Sequence, residues 1–335
     1  MTALLSRDIF NHLASDGDTN ADVVQRHAAH ESHGSPWSVQ GLGALASRSL
    51  WLEVHTWPKP GLVSHVDAGS HDDMDADTFE RSALALQPFF TELAQAGADN
   101  APMSTLRKIG LRAETAMFAA TGGINTHRGA IFGMGLLCAA AGLRATRNDA
   151  SSGDVSRLGD IVRARWGSEI LGGPRLPGSH GEAVVRRYGV GGARAEAASG
   201  FPSVYEIGLP ALRQALAGAH ECSAHECSAH ECSAHECGSH DWVGARINNN
   251  AARVHACLAL VSQVQDTNVL HRGGAAGLQY AQARARRFMA TGGVLKAGWQ
   301  ARAQRMHQSF VQRRLSPGGA ADLLAMTLFT HATGD

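Results

Sequence analysis

A short polar segment lies directly before a strongly apolar one, and it holds residues that could do chemistry. After the glycine pair Gly122–Gly123 come Asn125, His127 and Arg128, and residues 130–142 are then almost all apolar. Histidine can exchange a proton near neutral pH, and arginine can hold a phosphate with two parallel hydrogen bonds. Burying polar groups at the end of a buried helix costs free energy, so their presence there indicates a function. We interpret the segment as part of a binding or catalytic site; a helix cap with a solvated arginine is the alternative.

Glu114 is an acid that the glycine pair could bring close to this segment. It lies about two helical turns before the pair, on the preceding predicted helix. A chain reversal at the glycines would place Glu114 and His127 side by side, as a carboxylate and its polar partner in proton transfer. The alternative is that Glu114 lies on the outer face of its helix.

A second group of ionisable residues lies between Trp57 and Asp75, where two prolines prevent a helix. Lys59 stands between those prolines, and Asp72 and Asp73 are adjacent acids. Carboxylates can hold a magnesium ion together with phosphates and waters. We therefore predict Lys59 as a phosphate contact and Asp72 and Asp73 as metal ligands. Asp77 is assigned to capping the next helix, because it begins a capping-box pattern.

Further polar residues stand beside glycines at predicted helix ends. They are Arg194 and Glu196 after Gly192, Asp266, Asn268 and Arg272 before Gly273, and Ser316 at the start of the last apolar segment. A glycine before an arginine-bearing helix start lets backbone N–H groups and a guanidinium approach one phosphate together. The N-terminus of the last helix could likewise hold an anion.

The elements that must position these residues are helices. Apolar residues recur at helical spacing, for example at Phe79, Ala83, Leu86 and Phe90, whereas alternating strand patterns and Asn-Gly hairpins are missing from the sequence. We predict an all-α, single-domain bundle of many helices, with a pocket formed where helix ends meet.

Composition excludes some classes of protein. The 335 residues contain 30 Lys and Arg against 30 Asp and Glu, which argues against a nucleic-acid binder. The apolar residues 130–142 are too few to span a bilayer, so they indicate a core helix rather than a membrane segment. No basic-then-apolar leader opens the chain, and we expect a cytoplasmic protein.

The predicted catalytic domain covers residues 41–335, is preceded by an arm and contains a low-complexity insert at residues 219–239. Residues 1–40 have little periodicity and are expected to form a loose arm. Residues 219–239 hold four copies of AHECS or a near variant. Histidine and cysteine are metal ligands, but a five-residue step turns about 140° around a helix, so the side chains would not share a face. A slipped tandem duplication in an exposed loop is the simpler explanation; a metal- or nucleotide-binding module built around the repeat is the alternative.

Five motifs, in order along the chain, resemble the triphosphoribosyl-dephospho-coenzyme A synthase family. They are PKPGLVSHVDAGSHDDMD, GGINTHRGAIFGMGLL, GEAVVRRYGVGGARAEAASGFP, DTNVLHRGG and SPGGAADLLAMTLF. The RRYGV and LHRGG wording resembles the malonate decarboxylase branch more than the citrate lyase branch. The sequence departs from the family at the AHECS repeat, in its longer N-terminal arm and at Ser64-His65-Val66, where the family more often has Asp-Arg and a further polar residue.

The resemblance implies an all-helical enzyme that moves the triphosphoribosyl group of ATP to 3'-dephospho-CoA and releases adenine. The product is the precursor of the prosthetic group of an acyl carrier protein, to which a maturation enzyme would pass it. Magnesium would accompany ATP, and no nucleic acid or membrane partner is expected. The candidate catalytic residues are Glu53, Glu114, His127, Glu196 and Asp266. The candidate substrate-binding residues are Lys59, Asn125, Arg128, Arg194, Asn268, Arg272 and Ser316. Which acid serves as general acid or base stays open, and the same reaction for citrate lyase or an all-α metal-dependent phosphohydrolase are the alternative functions.

Overall fold

The protein is described by a computed structural model that covers residues 38–146, 156–174, 180–226 and 249–335. Within these ranges the chain forms α-helices and no β-strand, which confirms the predicted all-α class. The helices are α1 (Val39–Val54), α2 (Ala76–Ala98), α3 (Met103–Thr121), α4 (Arg128–Thr146), α5 (Leu158–Gly172), α6 (His180–Tyr188), α7 (Gly192–Ala198), α8 (Leu209–Glu226), α9 (Asn250–Gln263), α10 (Thr267–Ala290), α11 (Trp299–Val311) and α12 (Gly318–Ala332). A π-helical turn, Ser203–Gly208, runs into α8, and a 3-10 turn, Gly293–Leu295, follows α10.

Helix α4 is the centre of the bundle. Every residue from Gly133 to Leu143 is buried, because the segment is apolar on all sides. Its neighbours are α1, α2, α3, α5, α7 and α12. Among the described helices α4 alone is long and apolar enough to cross a membrane, and 72% of that apolar stretch is buried inside the protein. This burial is the pattern of a core helix, as predicted for residues 130–142.

Small residues let α2 and α4 approach closely. A Cβ atom on Gly97 would lie 1.9 Å from the carbonyl oxygen of Ala139, and one on Gly142 would lie 1.9 Å from that of Ala94. Neither position has room for a side chain, so the two glycines set the distance between the two helices. The polar residues before α4 are placed relative to α2 by this contact.

Helix ends follow local chemistry, with one correction. Helix α3 ends at Thr121 because Gly122 adopts a left-handed conformation (φ 67°), as the glycine pair predicts. Helix α2 begins one residue after Asp75, whose carboxylate accepts a hydrogen bond from the Thr78 N–H. The prediction that Asp77 caps this helix is therefore wrong. Asp77 lies in the first turn, where an acid stabilises the helix dipole instead.

Two predicted regions lie outside the described residues in large part. Residues 1–37 of the expected arm and residues 227–248, which hold most of the AHECS repeat, are among them. Helix α8 extends to Glu226, so the backbone of the first repeat residues is helical.

The close approach of α2 and α4 predicts opposite effects for two glycine-to-alanine substitutions. Gly142→Ala forces a Cβ against the α2 backbone and should lower the free energy of unfolding by about 1–3 kcal/mol or more. Gly110→Ala, in α3 with open space around its Cβ position, should raise it by about 0.5–1 kcal/mol through helix propensity. Urea unfolding of both variants measures the difference. Equal effects would show that the helix contact does not limit stability.

Candidate active site

The N-termini of α10 and α12 are joined by one carboxylate. Asp266 caps α10, and its Oδ1 accepts hydrogen bonds from the N–H groups of Asn268 (2.8 Å) and Val269 (3.1 Å). Its Oδ2 accepts from the N–H of Ala320 in the first turn of α12 (2.8 Å). Burial raises the pKa of Asp266, although these hydrogen bonds oppose the rise. Asp266 therefore holds two helix N-termini side by side.

Asp322 links α12 to the N-terminus of α4 in the same way. Its carboxyl accepts from the N–H of Ala130. Burial raises its pKa well above the ordinary value, and the nearby charges of Glu53 and Asp266 raise it further. The residue nevertheless keeps a partly solvent-accessible surface. Asp322 is thus densely surrounded and yet partly accessible at the place where three helix N-termini meet, and we call this place the crevice.

Glycines leave room for these carboxyls. A Cβ on Gly129 would lie 2.1 Å from Oδ2 of Asp322, and one on Gly319 would lie 3.0 Å from Oδ2 of Asp266. A Cβ on Gly318 would lie 2.6 Å from the side-chain nitrogen of Asn268. Close contacts among the HRGA, DTN and SPGG segments thus explain why glycines and polar residues stand together in them.

A buried ion pair lies close enough to Asp322 and His127 for its charges to act on them. Lys59 donates to the Glu53 carboxylate and, at 2.6 Å, to the Glu53 carbonyl oxygen, and both residues are at least 95% buried. The Lys59 carbonyl oxygen lies 2.7 Å from Nδ1 of His307, whose Nε2 is 3.1 Å from the Asp67 carboxylate. Both ring nitrogens of His307 thus face oxygen atoms, one of the backbone and one of a carboxylate. Lys59, predicted as a phosphate contact, forms an ion pair with Glu53 in this structure.

His127 presents a nitrogen with no partner. Its Nδ1 lies 2.7 Å from the Ser82 hydroxyl, which accepts a hydrogen bond from Thr126. The Ser82 proton is then donated to Nδ1, so the hydrogen of the imidazole is on Nε2. Within the described part of the chain Nε2 is buried and has no hydrogen-bond partner. Burial lowers the pKa of His127 to about 3, with a further contribution from the Lys59 charge, so the ring is neutral.

Glu114 has a different partner from the one predicted. Its carboxylate lies 2.7 Å from the guanidinium of Arg128, while His127 is bonded to Ser82. The glycine turn does bring Glu114 back to the polar segment, but one residue further along it. Asn125 accepts from the Arg128 N–H at 3.4 Å and sits at the start of α4. Arg128, Glu114 and Asn125 are at least partly exposed, so they form the outer edge of the crevice.

His71 connects the 64–75 loop to α10 and α12. The Arg272 guanidinium lies 3.1 Å from Nδ1 of His71, and the Ser316 hydroxyl lies 2.9 Å from Nε2. Arginine can only donate, so Nδ1 accepts and Nε2 carries the hydrogen that is donated to Ser316. Burial and the Arg272 charge lower the pKa of His71, consistent with a neutral ring. Ser316 therefore keeps its own hydroxyl hydrogen for a further acceptor.

Asp72 and Asp73 lie at the surface beside this connection. Asp73 is 3.7 Å from Nδ1 of His71, and Asp72 is 4.0 Å from the Arg314 guanidinium. The side chain of Asp73 is 64% exposed, and that of Asp72 is 90% exposed. No group of three or more His, Cys, Asp or Glu residues placed to hold a metal occurs in the described ranges. Two carboxylates suit magnesium only when a ligand's phosphates supply further oxygens.

Arg194 and Glu196 have partners in the scaffold. Arg194 donates to the carbonyl oxygens of residues 170, 171, 173 and 174, where it caps the C-terminus of α5. Glu196 accepts from the N–H (2.7 Å) and hydroxyl (3.0 Å) of Ser203 at the start of the π-helical turn. Burial raises the pKa of Glu196. A phosphate contact by Arg194 would have to replace its hydrogen bonds to the α5 carbonyls.

Sequence reasoning missed three members of this site: Ser82, His307 and Asp322. A signal existed for Asp322, which is the only ionisable residue between Ser316 and Thr330. A single acid in such an apolar helix has to meet a polar partner from another element. Ser82 and His307 carried no signal, because each lies on an ordinary amphipathic helix.

Comparison with known proteins decides the family. A family model described as ATP:dephospho-CoA triphosphoribosyl transferase matches residues 39–229 and 240–335. The chain belongs to this family. Proteins named 2-(5''-triphosphoribosyl)-3'-dephosphocoenzyme-A synthase are similar throughout: one from Klebsiella pneumoniae is 36% identical over 89% of this chain and 92% of its own. Proteins with the same name marked probable, from Stutzerimonas stutzeri and Acinetobacter calcoaceticus, are 38% and 36% identical over 88% and 86% of this chain and 92% and 89% of their own. No solved structure matches.

For a triphosphoribosyl transferase, the substrates are ATP and dephospho-CoA. Three of the motifs that carry the resemblance form the convergence of α4, α10 and α12. A fourth motif supplies Lys59 of the buried ion pair. Only the GEAVVRRYGVGG motif lies apart from this convergence, on α6 and α7.

The neutral state of His127 predicts a pH dependence of stability. The unfolded histidine has a pKa of about 6.5 and the folded one about 3, so between these values only the unfolded chain binds the proton. The free energy of unfolding of the wild type should therefore fall, relative to His127→Gln, by about 1.4 kcal/mol per pH unit below pH 6.5. Urea unfolding at several pH values measures it. His271→Gln, at an exposed histidine, is the control; equal slopes in the wild type and His127→Gln would contradict the prediction.

The buried pair predicts a coupled loss of stability. Lys59→Met leaves the Glu53 carboxylate buried without its cation and should cost about 3–5 kcal/mol. Adding Glu53→Gln removes that charge and should restore part of the loss. A double-mutant cycle by urea unfolding measures the coupling. Additive losses would mean that the two side chains do not interact in solution.

Proposed function

We propose that the transfer of the triphosphoribosyl group occurs where α4, α10 and α12 meet, and that the product serves the acyl carrier protein of malonate decarboxylase. The observation that carries the site is the accessible but deeply placed Asp322 beside two further acids and the unpartnered Nε2 of His127. The malonate decarboxylase assignment is supported by the RRYGV and LHRGG wording of the sequence. Citrate lyase is the alternative destination.

The reaction exchanges one bond at the anomeric carbon of ATP. The bond to adenine N9 breaks, and a bond forms to a ribose hydroxyl oxygen of dephospho-CoA. The hydroxyl proton is taken by a base, and adenine leaves with a proton in its place. Positive charge develops on the ribose in between, as in other glycosidic reactions, and nearby carboxylates stabilise it.

Asp322 is the acid best placed to face the ribose, because it alone among the buried acids keeps an accessible surface. Its raised pKa suits an acid that binds and releases a proton in the course of a reaction. Glu53 and Asp266 act behind it: their charges add to the effect of burial on its pKa, and the hydrogen bonds of Asp266 hold the N-termini of α10 and α12. His127 lies behind the surface as a neutral imidazole, which does not repel a developing cation.

The phosphates are held outside the acids. Arg128, Asn125, Asn268, Arg272 and Ser316 are the proposed contacts, and the first four are at least partly exposed. Asp72 and Asp73 would hold magnesium together with the triphosphate oxygens, and the ion would neutralise phosphate charge there. Lys59 contributes through its bond to Glu53. Glu114 contributes by fixing the Arg128 guanidinium, at 2.7 Å. The product would pass to the maturation enzyme of the carrier protein.

The deciding experiment supplies the protein with ATP, magnesium and dephospho-CoA. Release of adenine with formation of the triphosphoribosylated coenzyme supports transfer, whereas release of phosphate without adenine means hydrolysis and rejects the proposal. A second experiment separates the two destinations. The protein is produced in a strain that lacks its own synthase, together with the carrier subunit of either malonate decarboxylase or citrate lyase and the corresponding maturation enzyme. The carrier subunit that receives the prosthetic group identifies the destination.

Asp322→Asn tests the assignment of the central acid. The amide oxygen can still accept from the Ala130 N–H, so the melting temperature should change little. Adenine release should fall about 100-fold or more, because an amide neither takes the proton nor stabilises the cation. Asp160→Asn, at an exposed acid paired with Arg163, is the matched control. Normal adenine release by Asp322→Asn would remove this residue from the reaction.

A further inference from the structure

A separate cleft lies between α6 and α10, the two helices that supply its lining residues. It has a volume of about 300 Å³ and combines an apolar floor, from Val184 and Leu270, with polar walls from Arg187, Tyr188 and His271. The RRYG and LHRGG sequences, which lie more than eighty positions apart in the chain, supply these walls together. None of these polar residues takes part in the site described above.

The backbone of α10 is shaped to leave this cleft open. Gly274 interrupts the helix with φ 61° and ψ −164°, a conformation that a residue with a side chain rarely adopts. A Cβ on Gly274 would lie 3.4 Å from the Tyr188 hydroxyl. The glycine therefore brings backbone polar groups to the cleft wall.

The cationic residues of the cleft are arranged to meet an anion. The Arg187 guanidinium lies over the ring of Tyr188, 5.3 Å from its centre, and no described carboxylate pairs with it. His271 and Arg272 are consecutive in α10, so their side chains point about 100° apart. Arg272 faces the 64–75 loop, where it donates to the Ser70 carbonyl oxygen (3.1 Å) and His71. His271 faces the cleft.

The position along α10 relates the cleft to the reaction centre. His271 is five residues after Asp266, about 7.5 Å along the helix axis. A substrate with its ribose at the convergence has its phosphates several bonds away, a separation of the same order as that between Asp266 and His271.

We propose that this cleft binds a diphosphate group of a substrate, with Arg187, His271 and the Tyr188 hydroxyl as its contacts. The inference rests on the proposed function, which supplies two such ligands: the triphosphate of ATP and the diphosphate of dephospho-CoA. A planar guanidinium suits two oxygens of one phosphate, and the exposed position lets a highly charged group enter without losing all of its water.

The test compares Arg187→Ala with Arg186→Ala. Both remove an exposed arginine from the last turn of α6, but only Arg187 lines the cleft. Isothermal titration of the full-length protein with ATP, with dephospho-CoA and with inorganic tripolyphosphate, each alone, avoids turnover. Arg187→Ala should weaken one of the nucleotides about tenfold or more, and Arg187→Lys should recover part of it.

The arms of the titration identify the ligand. Weaker binding of ATP and tripolyphosphate places the triphosphate in the cleft, and weaker binding of dephospho-CoA alone places its diphosphate there. Changes below twofold for all three probes, or an equal loss in Arg186→Ala, overturn the proposal. A wild type that binds tripolyphosphate through Arg187 but releases no adenine would reject the proposed function and leave the cleft as an anion site.

Discussion

The Asp266 carboxylate is the contact on which the candidate site depends. Each oxygen is used by a different helix: one accepts from the first turn of α10 and the other from the first turn of α12. Unpaired N–H groups at two neighbouring helix ends would repel one another, since each end carries partial positive charge. A buried anion between them removes the repulsion and satisfies donors on both sides. Asp322 repeats the arrangement between α12 and α4. The three N-termini are thereby fixed around one crevice.

The same contacts explain why small residues stand beside acids in this sequence. Gly129 and Gly319 leave the space that the Asp322 and Asp266 carboxyls fill, and Gly318 leaves the space for Asn268. A side chain at any of these positions would separate a carboxyl from the N–H group it accepts from, or push two helices apart. The pattern is therefore a constraint between motifs, in which a glycine in one segment is required by an acid in another.

That kind of constraint decides how much could be predicted. The all-α class, the break at Gly122 and the buried helix after it depend on local patterns, and the structure confirms them. Partners of polar side chains depend on distant segments. Arg194 follows glycines, a pattern that predicts an anion-binding arginine, yet it caps the C-terminus of α5. The local sequence around Arg194 does not show that this helix end lies beside it. Glu114 returns to the polar segment as predicted, but a one-residue difference in the turn gives it to Arg128 instead of His127. Asp75 and Asp77 both have a side chain that can cap a helix. The helix begins directly after Asp75, so Asp75 is the cap.

The arrangement of charge also argues for the order in which a substrate would lie. The acids Glu53, Asp266 and Asp322 are inside, and the single buried cation among them, Lys59, is bonded to Glu53. The arginines are outside, with Arg128 and Arg272 at the edge of the crevice. A polyphosphate brought next to the buried acids would meet repulsion in surroundings of low polarity, where charges interact strongly. The same acids would attract a ribose that gains positive charge. On the proposed assignment, one substrate thus satisfies both regions, because its cationic centre and its anionic tail are separated along the molecule as Asp266 and Arg272 are separated along α10. His127 fits this order only as a neutral ring, since an imidazolium among the acids would neutralise the field that stabilises the ribose, and its low pKa keeps it neutral.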